Sequence, residues 1–106
     1  KDIISKDSSQ TITPDRIVKT VSEHLNISSD DIRSKKRSQD IATARQIVMY
    51  LCRQHTVLSL QTIGDAVGGK DHATVMNGIK RVENRIKEDS SFKTLIDTIV
   101  KKMNAI

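Results

Sequence analysis

The sequence predicts an all-α fold, a compact bundle of about five to six helices that contains a helix-turn-helix. Apolar residues recur at the spacing of amphipathic helices, and residues that commonly cap helices precede most of these segments. Two of the segments are separated by Gly68-Gly69-Lys70, a turn short enough for a helix-turn-helix. A chain of 106 residues can bury one hydrophobic core, so we expect a single domain.

The first helix is expected to follow Thr13. Residues 1–11 are polar, rich in serine and without periodicity, which predicts a linker or tail before a domain spanning residues 12–106. Thr13 is a suitable N-cap, and proline is favoured at the first helical position, which Pro14 occupies. A helix of about three turns should then run to Asn26. Its inward residues are expected to be Ile17, Val21 and Leu25.

A basic loop is predicted between the second and third helices. Ser28 and the acidic residues after it favour the start of a short helix around Ile32. The segment Ser34-Lys35-Lys36-Arg37-Ser38 follows without apolar periodicity. We therefore expect an exposed and strongly positive loop at this point.

A longer helix is predicted from about Asp40 to His55. Its apolar residues recur at helical spacing: Ala44, Ile47 or Val48, Leu51 and Cys52. Gln46 and Arg53 lie seven residues apart on another side of the helix, with Arg45 adjacent. We expect this polar side to face outward toward a partner.

The helix-turn-helix is predicted from Ser59 to about Lys87. Ser59 caps a short helix with Leu60, Ile63 and Val67 inward, and a second helix begins near Asp71. One side of the second helix is apolar: Val75, Ile79, Val82 and Ile86. The opposite side is free to enter a DNA groove: Ala73, Asn77, Lys80 and Asn84.

A last helix should close the core. Asp89 or Ser90 is its expected N-cap. Its inward residues are expected to be Phe92, Leu95 or Ile96, Ile99 and Met103.

Composition narrows the classes of function. The sequence has no apolar run of membrane length and no signal-peptide pattern, so we expect a cytoplasmic protein. Cys52 is the single cysteine and cannot form an internal disulfide. The two aromatic residues are too few for base-stacking platforms, which favours duplex over single-stranded nucleic acid. The chain begins with Lys-Asp rather than Met, which predicts a fragment of a longer protein.

Positive charge is concentrated in the middle of the chain. Residues 1–31 have a net charge of −2, residues 32–87 of +7 and residues 88–106 of zero. A local excess of this size is typical of a surface that contacts phosphate, although basic patches also meet membranes and proteins.

Two patterns suggest other chemistry and are weaker. The segment from Gly64 to Asp71 nearly matches a phosphate-binding loop, but Asp71 stands where a hydroxyl is needed and a helix rather than a strand precedes it. Cys52 and His55 could supply only half of a metal site. No nucleophile, base and orienting group occur at recognisable spacing. We therefore expect no enzyme activity, no metal and no cofactor in this domain.

Three segments carry a family resemblance: Arg45-Gln46-Ile47-Val48-Met49-Tyr50-Leu51, Ser59-Leu60-Gln61-Thr62-Ile63-Gly64 and, above all, Gly68-Gly69-Lys70-Asp71-His72-Ala73-Thr74-Val75. Over roughly residues 12–103 the chain resembles the C-terminal DNA-binding domain of the DnaA family, the bacterial chromosomal replication initiators. The resemblance implies binding to a DnaA box similar to TTATNCACA at the replication origin. It also implies an ATPase module before Lys1, to which any bound ATP would belong, and a nucleoid-associated location in a bacterial cytoplasm.

The resemblance also implies site residues. Those expected to contact base edges are Arg37 in the minor groove and, in the major groove, Asp71, His72, Ala73 and Thr74. Those expected at the DNA backbone are Arg45, Gln46, Arg53, Leu60, Gln61, Lys70, Asn77, Lys80 and Arg81. Three positions depart from the family's commonest residues: Gln61, Lys70 and Ala73. The alanine keeps a methyl group for thymine and loses one hydroxyl donor.

Two alternatives remain open for this chain. A helix-turn-helix transcription regulator of another family would favour a dimer on palindromic half-sites, whereas an initiator domain is expected to bind its box as a monomer. A basic interaction domain would instead use the positive surface for acidic phospholipid or a regulatory protein, which are also possible contacts of the parent protein.

Overall fold

The structure is a computed structural model that describes residues 12–105, so the predicted tail over residues 1–11 lies outside the described residues. This part of the chain contains helices and no strand, which confirms the all-α prediction. The six helices are α1 (Pro14–Leu25), α2 (Ser29–Ile32), α3 (Gln39–His55), α4 (Leu60–Ala66), α5 (His72–Glu88) and α6 (Ser90–Asn104).

Side-chain caps explain where several helices begin. The hydroxyls of Thr13, Ser28 and Ser59 accept hydrogen bonds from backbone N–H groups three residues onward, as the sequence predicts. Asp89, rather than Ser90, caps α6. At the other end of α1, Asn26 adopts a left-handed conformation with φ of 57°, and the helix ends there.

Helix α3 occupies the centre of the fold and packs most extensively against α5 and α1. Both candidates for its apolar side, Ile47 and Val48, are buried together with Met49. Gly78 lies where α3 and α5 approach each other, and a Cβ there would lie 2.7 Å from Met49 Sδ. Every other helix also contributes core residues, among them Ile17, Val21, Ile32, Ile63, Val75, Ile79, Ile96, Ile99 and Met103.

None of the helices within residues 12–105 has both the length and the apolar composition needed to cross a membrane. Helix α4 leads directly into the near-match to a phosphate-binding loop, so the residues before that loop are helical, as the sequence predicts.

Candidate nucleic-acid interface

A tight turn joins α4 to α5. The carbonyl oxygen of Gly64 accepts hydrogen bonds from the backbone N–H groups of Val67, Gly69 and Lys70 at 3.2, 2.9 and 3.0 Å. Gly68 has a φ of 93°, and a Cβ at this position would overlap the carbonyl of Arg33. Glycine at position 68 therefore allows the turn to reverse the chain. It also allows the turn to lie against Arg33, which precedes the basic loop.

The first turn of α5 presents the predicted major-groove residues. His72, Ala73 and Thr74 are exposed. Asp71 is the N-cap: its Oδ1 accepts a hydrogen bond from the Thr74 N–H at 2.8 Å, and this bond holds the pKa of the carboxyl below its ordinary value. This capping role of Asp71 was not among the expectations from the sequence, although Asp at the start of a helix is itself a recognised signal.

The two sides of α5 separate as the sequence predicts. Val75, Ile79 and Val82 are buried. The opposite side is exposed along the helix: Ala73, Asn77, Lys80, Arg81 and Asn84. This side can approach a partner without disturbing the core.

The polar residues of α3 fall into different environments. Gln46 is half-buried beside α5, where its Cγ would lie 3.3 Å from a Cβ on Gly78. Arg53 is exposed in the last turn of the helix. At the start of α4, Leu60 packs against the core and Gln61 is exposed.

The prediction that Arg45 projects outward is wrong. Arg45 is only 7% exposed, and its guanidinium lies against the end of α2 and the start of the basic loop. Nε donates to the Ile32 carbonyl at 2.8 Å, and Nη2 donates to the carbonyls of Asp31 and Ser34 at 3.2 and 2.8 Å. Arg45 faces backward from α3 because these carbonyls satisfy its donors, and burial lowers the pKa of its side chain from the ordinary value.

A basic cavity of about 380 Å³ lies between the loop, α3 and the helix-turn-helix. Arg37 from the loop and Thr74 from the first turn of α5 line the same cavity, although they are distant in sequence. The other lining residues are Lys35, Ala42, Arg45, Gln46, Met49, Gly68, Gly69 and Lys70. Partial burial, followed by repulsion from Arg45, Lys35 and Arg37, lowers the pKa of Lys70.

Direct bonds fasten the basic loop to the rest of the fold. Lys70 Nζ donates to the Ser34 carbonyl at 3.3 Å, and Arg33 Nε donates to the Ala66 carbonyl at 3.3 Å. Arg33 also forms an ion pair with Asp15 at 2.8 Å. The start of the loop is therefore bonded to α1, α3, α4 and the turn of the helix-turn-helix.

Two further cavities contain four more of the predicted residues. One of about 360 Å³ brings Gln61 together with Lys70, Asp71 and His72. Another of about 310 Å³ places Arg81 beside Gln46. Five predicted residues line none of these three cavities: Arg53, Leu60, Ala73, Asn77 and Lys80.

The side chains of the described region do not group as a metal site. No set of three His, Cys, Asp or Glu side chains suited to a metal ion occurs within residues 12–105. Cys52 is buried in α3, and burial raises the pKa of its thiol to about 12. A thiol with so high a pKa stays protonated at neutral pH and is unreactive as a nucleophile.

Comparison with known proteins places this geometry in a family. The family described as "Bacterial dnaA protein helix-turn-helix" matches residues 14–82. The chromosomal replication initiator protein DnaA of Lachnoclostridium phytofermentans is 50% identical over 104 residues, which are 98% of this chain and 23% of that protein. The corresponding protein of Thermodesulfovibrio yellowstonii is 45% identical over 97 residues, 92% of this chain and 22% of that protein.

A solved structure is similar along nearly the whole chain. This crystal structure, of a "DNA replication initiation factor", superposes with a TM-score of 0.74 at 33% sequence identity. The match covers 94% of this chain and 31% of that one. The chain thus spans less than a quarter of the length of the two curated relatives and under a third of this structural neighbour.

Proposed function

Since the chain belongs to the bacterial DnaA helix-turn-helix family, we propose that it is the part of a replication initiator that binds double-stranded DNA at the replication origin. Its target is an asymmetric DnaA box similar to TTATNCACA. One domain binds one box as a monomer, in the bacterial cytoplasm. The domain itself catalyses no reaction and needs no cofactor, and any bound ATP belongs to another module of the whole initiator.

The basic cavity is the observation that best supports this function. It joins Arg37 of the basic loop to Thr74 of the recognition helix α5, and four of its lining residues are cationic. A helix N-terminus in the major groove and an arginine in the adjacent minor groove would together flank one phosphate backbone. The positive charge between these two elements fits that backbone.

Base recognition is assigned to the first turn of α5. His72, Ala73 and Thr74 are exposed there, and the Ala73 methyl can contact a thymine methyl. Asp71 uses Oδ1 for the helix cap, so its other oxygen would accept from a cytosine amino group. Arg37 supplies the minor-groove contact, which gains from the negative potential of narrow A·T-rich grooves.

Contacts to the DNA backbone are assigned to the rest of the predicted set: Gln46, Arg53, Leu60, Gln61, Lys70, Asn77, Lys80 and Arg81. Most are exposed and come from α3, α4, the turn and α5. Contacts from separate elements to phosphates fix the register of a protein on duplex DNA without specifying sequence. Arg45 is left out of this set because it is buried and its Nε and Nη2 donate to backbone carbonyls.

Competition binding tests the proposal. The domain should bind a duplex containing the box on the order of a thousandfold more tightly than a scrambled duplex at physiological salt. Light scattering of the complex should give one domain per box. Equal affinity for both duplexes would contradict the proposal, and a dimer on a palindromic site would favour a transcription regulator instead. Stronger binding to acidic vesicles than to the box would favour the interaction domain.

A further inference from the structure

We propose that Arg45 is a positioning residue for DNA recognition: its buried guanidinium fixes the basic loop so that Arg37 and α5 can occupy neighbouring grooves at the same time. This inference rests on the proposed function. It gives Arg45 a role different from the phosphate contact that the sequence suggests.

The environment of Arg45 indicates an anchor. It is the only charged residue that is buried among residues 12–105. Burying a charge is costly unless hydrogen bonds compensate for the lost water. The compensation comes from the backbone, because all three hydrogen bonds described above end on carbonyl oxygens.

The Ile32 carbonyl accepts from Arg45, and the Asp31 carbonyl accepts from Arg45 and also from the backbone N–H and the hydroxyl of Ser34. Asp31 and Ile32 belong to α2, which is a single turn. The last carbonyls of a helix accept no hydrogen bond from an N–H of the same helix. A positive charge at that end is also favoured by the helix dipole. Arg45 therefore donates to the last carbonyls of α2 and also to the carbonyl of Ser34, the first residue of the basic loop.

The Ser34 carbonyl connects three parts of the interface. It accepts from Arg45 on α3 at 2.8 Å and from Lys70, in the turn of the helix-turn-helix, at 3.3 Å. Arg37 is only three residues further along the loop. The position of Arg37 relative to α5 consequently depends on where Ser34 is held.

Like charges make this anchor necessary. Lys35, Arg37 and Lys70 line one cavity, and in the absence of DNA their charges repel one another. The loop has no buried apolar side chain that could hold it against this repulsion. The hydrogen bond from Arg45 to the Ser34 carbonyl contributes to that restraint, together with the bonds of Lys70 to Ser34 and of Lys36 to Asp31, while Lys35 and Arg37 line the cavity.

The substitution Arg45→Lys distinguishes a positioning role of Arg45 from a phosphate contact. A phosphate contact requires positive charge, which lysine retains. An anchor requires the planar fork of donors that reaches three carbonyls, which a single ammonium group cannot reproduce. Arg53→Lys, at an assigned phosphate contact on the exposed side of the same helix, is the matched control: whatever its own effect on binding, it should leave the effect of Arg37→Ala intact.

The first experiment is a double-mutant cycle with Arg37→Ala. In the wild-type and Arg53→Lys backgrounds, Arg37→Ala should weaken box binding roughly tenfold. In the Arg45→Lys background its effect should be at least about threefold smaller, because a loose loop no longer delivers Arg37 to the groove. An undiminished effect of Arg37→Ala would overturn the proposal.

The second experiment uses the free protein. Amide hydrogen exchange over residues 34–38 should be at least about fivefold faster in Arg45→Lys than in wild type or Arg53→Lys, because local opening is easier without the anchor. In the wild type, the Arg45 Nε–H should exchange more slowly than the Arg53 Nε–H. This comparison remains available if Arg45→Lys does not fold, and equal rates would overturn the proposal.

The two proposals can fail separately. A wild-type domain without preference for the box would contradict the proposed function and, with it, a role of Arg45 in recognition. Strong preference for the box, combined with a full effect of Arg37→Ala in the Arg45→Lys background, would contradict the positioning role alone.

Discussion

The recognition helix and the basic loop are both assigned to DNA, yet different interactions hold them in place. Helix α5 has 17 residues and is oriented by apolar packing, with Val75, Ile79 and Val82 buried against the core. Residues 33–38 form no helix and bury no apolar side chain. Polar contacts hold this segment instead: the Ser34 carbonyl accepts from Arg45 and Lys70, Arg33 bonds to Ala66 and Asp15, and Lys36 pairs with Asp31.

This difference predicts different consequences of substitution. The exposed side chains of α5 take their orientation from the core, so loss of packing should reduce stability and binding to every duplex. The orientation of Arg37 depends on a few hydrogen bonds, so loss of an anchor should reduce sequence preference more than stability.

The largest effect is expected at the core of α5. Ile79→Ala should lower the free energy of unfolding by about 2–5 kcal/mol, because the substitution removes buried methyl groups and leaves a cavity. Urea denaturation measures the change. Asn77→Ala, on the exposed side of the same helix, should stay within about 0.5 kcal/mol of wild type. Similar effects of the two substitutions would contradict apolar packing as the support of α5.

The anchor of the loop should contribute less to stability. Arg45→Ala should lower the free energy of unfolding by about 1–3 kcal/mol, because the buried bond to the Ile32 carbonyl and the partly buried bonds to the Asp31 and Ser34 carbonyls are lost. Thermal and urea unfolding test this expectation. The control Arg53→Ala should change stability by less than about 0.5 kcal/mol. An Arg45→Ala domain as stable as this control would show that the buried bonds are dispensable for folding.

A substitution in the exposed first turn of α5 should separate recognition from folding. His72→Ala should weaken box binding by about 1–3 kcal/mol and leave binding to scrambled DNA nearly unchanged, because the side chain is assigned to a base edge. His24→Ala is a matched control at the end of α1, where His24 Nδ1 lies 2.8 Å from Lys102 Nζ. Equal losses on both duplexes would remove His72 from base recognition.

The smallest effect concerns the Asp71 cap. Its pKa is lowered from the ordinary 3.8 in the folded protein, so the cap stabilises the fold fully above that value. Its contribution is lost as the pH falls through the lower pKa of the folded state. Asp71→Asn keeps a capping oxygen without a titrating carboxyl. The free energy of unfolding should therefore depend less on pH in the acidic range. An unchanged dependence on pH in that range would contradict the cap's contribution to acid sensitivity.

The helices and the exposed side of α5 could be predicted because local sequence determines them. Apolar periodicity and the caps at Thr13, Ser28 and Ser59 depend on residues within a few positions of each other. The Asp71 cap was available from the same local signals, since Asp71 precedes the Thr74 amide by three residues.

The environment of Arg45 could not be predicted from the same patterns. Its acceptors are carbonyls 11 to 14 residues earlier in the chain. Backbone oxygens occur at every residue, so their direction depends on the path of the loop rather than on side-chain type. Helical spacing placed Arg45 beside Gln46 and therefore on the polar side, although the guanidinium turns toward α2.

Base-analogue substitution tests most directly whether the loop and α5 contact different grooves. An inosine·cytosine pair resembles G·C in the major groove but lacks the amino group that distinguishes G·C in the minor groove. Each A·T pair of the box is replaced in turn by inosine·cytosine and by G·C, and affinities are measured for wild type and Arg37→Ala. We expect one set of positions to tolerate inosine·cytosine but not G·C, and to lose this discrimination in Arg37→Ala. A second set should tolerate neither replacement in either protein. If every position responds equally to both replacements, only the major groove is recognised and the account of two cooperating regions is wrong.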